Sequence, residues 1–277
     1  MLRPQCPQVV WAEWAVCIKL TRNTISRKLN KNTKPLLIIT SEAALILETF
    51  VEKYGGFMNK EWSEMNKTMQ LQLKKKETFL SGTDTLLELR KELMTEILRF
   101  KTDLSSDDFY AIPYINAKGY HNKTIAYSLW HIFRIEDIVA HTLIADDEQI
   151  FFKGNYQKRI NSPIITTGNE LIKEEISEFS KKLSVEELYN YIVEVDSSTT
   201  QILKRLTHSH SKEKVSVEKR KRLEALSVVS KDESAYWLVD YWCNKDIKGL
   251  IQMPFSRHWI MHIEACLKIR DKLLSRK

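Results

Sequence analysis

Residues 83–104, TDTLLELRKELMTEILRFKTDL, place Leu86, Leu89, Leu93, Ile97 and Leu104 three, four or seven positions apart. That is the period of one helical face; the apolar residues of a half-buried strand would alternate instead. The period recurs in TIAYSLWHIFRIEDIVAHTLIAD, 124–146, where Tyr127, His131, Ile135, Ile138 and Thr142 share a face. A third long helix is expected over 185–206, with Ser184 and Glu187 spaced as a capping box. A fourth is expected over 256–274, where Pro254 and Ser256 supply the proline and hydroxyl that favour a helix start. Seven glycines and six prolines in 277 residues leave little turn chemistry for a β-rich chain.

The expected fold is therefore all-α: a four-helix bundle with additional short helices and an N-terminal extension. Residues 80–277 would form the bundle, with shorter helices at 216–230 and 233–250. Residues 41–79 read as a short amphipathic helix, closed by Gly55-Gly56, and a linker. Residues 1–40 show no sustained periodicity and read as an extension.

A hydrophobic fraction of 43% against 29% charged residues suits a folded chain rather than a disordered one. No apolar run approaches the roughly 20 residues that a membrane helix needs. The run VVWAEWAVCI is interrupted by Glu13, which also makes it a poor secretory signal. The expectation is a cytoplasmic protein without a membrane partner. Cys6, Cys17, Cys243 and Cys266 form no C-x-x-C pair, and reduced thiols are expected.

The net charge of +7 is unevenly placed: residues 1–37 carry +6 and residues 204–222, KRLTHSHSKEKVSVEKRKR, carry another +6. Basic stretches can meet nucleic acid. These lack interleaved aromatics, so stacking on bases is not expected, and they read as a solvated tail and connection.

The stretch FSRHWIMHIEAC, 255–266, puts His258 and His262 one helical turn apart. Two such imidazoles can converge on one ion or simply share a core face. His131 lies mid-helix on the apolar stripe, beside Trp130. A lone histidine there is more often a satisfied core residue, yet inward histidines from two helices are how bundles build metal sites. Together the three would give a nitrogen set with open positions, the arrangement of a catalytic site. Zinc or nickel suits three imidazoles. His208 and His210 sit in a polar segment and should be solvated; His121 reads as a connection residue. His141 is off the line of His131, and Cys266 is a small buried residue one turn beyond His262.

The run YSLWHIFRIEDIVAHTLI, followed far downstream by SRHWIMHIEA, resembles the DinB-like (DinB/YfiT) superfamily of metal-binding four-helix-bundle proteins. The order W-H-I-x-R-I-E-D around His131 carries most of the likeness, which spans roughly 80–275. The resemblance implies one histidine on the second helix and an H-x-x-x-H pair on the last, here His131, His258 and His262, around a divalent metal. It implies a metal-dependent enzyme, a thiol S-transferase or one of hydrolase type, with a small-molecule thiol or electrophile as partner. It also implies pairing into a homodimer, for which 235–242 is either a surface or ordinary core. Tyr127, Trp130 and Trp259 are the expected pocket residues. Glu136, Asp137, Asp240 and Glu264 are the acidic candidates for orienting the histidines. The alternative is a non-catalytic, stress-associated helical-bundle binding protein.

Overall fold

The computed structural model describes residues 60–117 and 119–276. The extension at 1–40 and the helix expected at 41–56 lie outside them. Among the described residues every regular element is helical, and pairing of the strand type is limited to one isolated bridge between Lys214 and Asp246. No helix among them is long and apolar enough to cross a membrane.

Residues 60–72, expected as linker, form a helix, α1. Trp62, Asn66, Met69 and Leu73 recur at helical spacing and are buried, so this stretch contributes to the core. Helix α2, Phe79–Asp103, begins four residues before the expected start. Its buried Leu86, Leu89, Leu93 and Ile97 are those expected from the spacing.

Helix α3, Ile125–Asp137, is capped by Thr124, whose Oγ1 accepts from the Tyr127 amide at 2.9 Å. It continues as a π-helix, Ile138–Ala145, that ends at Asp146 in the left-handed region (φ 61°). The expected single face is not what forms. Every residue of α3 is buried, and burial persists through Ile144. A helix enclosed on all sides occupies the centre of the fold.

Helix α4 is Glu174–Lys182 and α5 is Val185–Arg205. Ser184 accepts from the Glu187 amide as expected, but the Glu187 carboxylate pairs with Arg159 at 2.8 Å. Helices α6, Val217–Ala225, and α7, Glu233–Cys243, follow. In α7, Ala235, Leu238, Val239 and Trp242 are core, while Trp237 is exposed. Helix α8, His258–Leu274, grows out of a π-turn, Met253–Arg257. Ser256 therefore does not cap the helix; its hydroxyl donates to the Gln252 carbonyl.

The long helices touch in a cycle: α2 contacts α5, α5 contacts α3, α3 contacts α8, and α8 contacts α2. Two apolar clusters surround α3. One gathers around its first half with Leu93, Ile192, Trp259 and Ile263; the other surrounds the π-helix with Leu238, Trp242 and Phe255. Buried charges lie between them. The Arg90 guanidinium grips Glu136 through two bonds of 2.7 and 2.8 Å, and Asp196 lies beside it. Arg134 donates to the Ile165 carbonyl and to Gln149, while Asp137 accepts from the Ile150 and Phe151 amides and the Tyr191 hydroxyl. Each charge is matched by hydrogen bonds, which makes its burial tolerable.

Three cations of the basic stretch are used inside the molecule. Lys219 donates to the carbonyls of Leu143 and Ile144, which end the π-helix. Arg222 pairs with Asp146 at 2.6 Å, and Arg220 with Asp240 at 2.7 Å. The segment is thus partly a clamp on the end of the central helix.

Candidate metal centre

His131 comes from the middle of α3; His258 and His262 come from the first two turns of α8. The contact between α3 and α8 brings them together. Ring centroids are 5.0 Å apart for His131–His258, 4.9 Å for His131–His262 and 4.6 Å for His258–His262. One ligand nitrogen from each ring lies within 4.8 Å of the other two. Exposures are 5%, 7% and 2%, so water does not solvate the set freely.

The three rings differ in their partners. His131 Nδ1 is 2.7 Å from the Thr167 carbonyl. A carbonyl only accepts, so Nδ1 carries the proton and Nε2 keeps its lone pair. Nδ1 of His258 and both nitrogens of His262 are buried without any hydrogen-bond partner. Leaving such groups unmatched costs about 1–3 kcal/mol each. Burial pushes the His131 pKa down to about 4, and it pushes His258 and His262 well below the usual histidine value. Neutral rings with free lone pairs at neutral pH are what a metal ion requires of its ligands. The donor set fits a divalent cation, with His131 already oriented from behind by a carbonyl.

That orienting group is not one of the carboxylates expected for the task. Glu136 is held by Arg90 and by the indole of Trp259, Asp137 caps the short helix at Ile150, and Asp240 pairs with Arg220. Each is committed to another structural partner. Glu264 is partly buried and makes no hydrogen bond or ion pair with the three rings among the described residues.

Of the expected pocket residues, Tyr127 stacks on His131 with 5.5 Å between centroids and 10° between planes. Its hydroxyl donates to the Gly168 carbonyl at 2.8 Å. Trp130 is turned into the core, edge-on to Phe151 and Phe179. Trp259 packs on Phe133 and under the Arg90 guanidinium, and donates to Glu136. One step along a helix turns a side chain by about 100°, so the neighbour of an inward histidine points elsewhere.

Two residues at the site carry no signal in the helical patterns. Tyr120, in the turn Gly119–His121 that packs against α8, stands edge-on to His262 at 4.6 Å. Lys123 lies 5.2 Å over the Tyr127 ring. His121 flanks the site without joining it, His208 contacts Phe79, and His210 is exposed. His141 is tied to Asp147 at 2.5 Å and to Ser198 at 3.1 Å. Cys266 is buried, with its thiol pushed up to about 12, and stands outside the histidine cluster.

Comparison with protein-family models and with curated protein sequences finds no match to this chain, so three buried histidines able to hold a metal ion are what identify the site.

Proposed function

We propose that this chain is a DinB-like four-helix bundle in which His131, His258 and His262 hold a divalent cation, zinc or nickel, and that it acts as a metal-dependent enzyme. The cyclic contacts of α2, α5, α3 and α8 support the bundle reading. One observation carries the site: three buried imidazoles from distant parts of the chain meet within 4.8 Å while three of their nitrogens lack a partner.

A divalent ion on three neutral ligands supplies Lewis acidity that makes a thiol or water a nucleophile near neutral pH. The chain's own contributions are separate. The Thr167 carbonyl fixes the His131 ring by accepting a hydrogen bond from its Nδ1, and Tyr127 covers one face of that ring. Burial keeps all three rings uncharged. The reaction class is thiol S-transfer or hydrolysis, with a small-molecule thiol or electrophile as substrate.

Elemental analysis of tag-free protein tests the reading. One metal per chain, lost in His262→Ala, is the expected result. Folded wild-type protein that cannot be loaded with zinc or nickel would overturn it. Metal without thiol-dependent transfer or hydrolysis would leave the non-catalytic binding reading.

A further inference from the structure

Beyond the metal centre, the far end of the central helix places a serine, a histidine and an aspartate in one hydrogen-bonded line. His141 lies in the π-helix that continues α3, and α5 packs against that π-helix. His141 Nδ1 is 2.5 Å from a carboxylate oxygen of Asp147, and its Nε2 is 3.1 Å from the Oγ of Ser198 on α5. A carboxylate only accepts, so in the neutral ring Nδ1 carries the proton and Nε2 keeps its lone pair. The Ser198 hydroxyl then donates to Nε2. In this order an imidazole can take the proton of an attacking hydroxyl while a carboxylate fixes the ring's tautomer.

The line is held in place from several sides. The Asp147 amide donates to the His141 carbonyl at 2.9 Å, and Arg222 donates to the Asp147 carbonyl at 2.7 Å, so the turn after the π-helix is fixed. His141 is buried, and Asp137 Oδ1 stands 3.9 Å from its Nε2. That second carboxylate favours the imidazolium a proton transfer would create. Ser198 is half-buried and lines a groove of about 510 Å³ beside α5. Ile150 and Val193 give the groove apolar walls, and Glu194 adds a carboxylate. Such a lining accepts a small neutral ester and disfavours an anionic one. Ser198 sits inside α5, where backbone amides are bonded within the helix, so the donor for a developing oxyanion has to be a side chain. Gln201, about one turn further on, lines the same groove.

We propose that Ser198, His141 and Asp147 form a second reactive centre, in which Ser198 is a nucleophile toward small neutral carboxylic esters. Ser198 Oγ bonds to the acyl carbon and its proton passes to His141 Nε2. The bond from the acyl carbon to the alcohol oxygen breaks, and the alcohol leaves with that proton. Water then attacks the acyl-serine and gives a proton to Nε2; the proton returns to Ser198 Oγ as the carboxylic acid departs. Asp147 is a positioning residue that acts through His141. No step draws on His131, His258 or His262, so this centre stands independently of the metal reading.

The test treats the full chain, in chelator, with a short-chain alkyl fluorophosphonate. Reaction bonds the serine Oγ to phosphorus and expels fluoride, and mass spectrometry locates the adduct. Wild-type protein should take one adduct per chain, on Ser198, and Ser198→Ala should take none. Labelling should slow by about 100-fold in His141→Ala and by about tenfold or more in Asp147→Asn. Hydrolysis of p-nitrophenyl acetate should fall in step, in kcat rather than KM, as a positioning role requires. Folded wild-type protein without an adduct on Ser198 would overturn the proposal. Equal labelling of wild type and Asp147→Asn would overturn it too, since Ser198 would then react without the line behind it. The Asp147 side chain is 57% exposed, so its variant keeps the fold and decides the matter if His141→Ala does not fold.

Discussion

His131 Nδ1 donates to the Thr167 carbonyl at 2.7 Å, and this single bond leaves Nε2 with a free lone pair on a ring beside His258 and His262. The loop before α4 thus sets the chemistry of a residue in the middle of α3.

Replacing His262 with an apolar ring separates the metal role from the packing role. His262→Phe removes two buried nitrogens that have no partner. In chelator the variant should be as stable as wild type within about 1 kcal/mol, since an unmatched polar group is exchanged for an apolar one. Added zinc at 100 times its dissociation constant should raise wild-type stability by about 2.7 kcal/mol and leave the variant unchanged. Thermal melts with and without zinc measure both effects.

The metal-free protein should weaken in mild acid. The His131 pKa is about 4 when folded, below its unfolded value near 6.5. A depressed pKa means that the unfolded chain takes up the proton first as pH falls. Stability is therefore full above about 6.5 and declines from there toward 4, by roughly 3 kcal/mol from His131 alone. His258 and His262 shift in the same direction and steepen the loss. Urea titrations between pH 7.5 and 4.5 should show it; a midpoint constant across that range would contradict the buried neutral rings.

Glu136→Gln should destabilise the fold strongly. Arg90 is 2% exposed and uses Glu136 as its two-bond partner. Losing one carboxylate of this buried group leaves Arg90 with Asp196 as its remaining partner and should cost up to about 3 kcal/mol. The indole of Trp259 loses its carboxylate acceptor as well. Chemical denaturation should show the drop, and loss of the same size is expected from Arg90→Met if the pair acts as a unit.

The basic stretch should matter for stability. Lys219→Met removes two bonds to the carbonyls of Leu143 and Ile144 and should cost about 1–2 kcal/mol. Binding of this segment to DNA, if it governed function, would fall steeply with salt. The expectation is a shifted melting point with no salt-dependent DNA affinity to lose.

The sequence by itself determined the long helices and two of the three rings of the site on one helix. Periodicity at Leu86, Leu89, Leu93 and Ile97 fixes α2, and the spacing of His258 and His262 puts two rings on adjacent turns. Such features are local, because a helix is built from bonds between residues four apart. Where α3 lies was decided by tertiary structure: its stripe predicts one buried face, while packing from α4, α5 and α8 helps enclose it completely. Tertiary structure likewise turned Trp130 and Trp259 into the core, supplied a backbone carbonyl in place of a carboxylate behind His131, and delivered Tyr120 and Lys123 from a connection with no period. Those outcomes depend on how distant surfaces fill space against one another, and no short-range pattern in the chain encodes that.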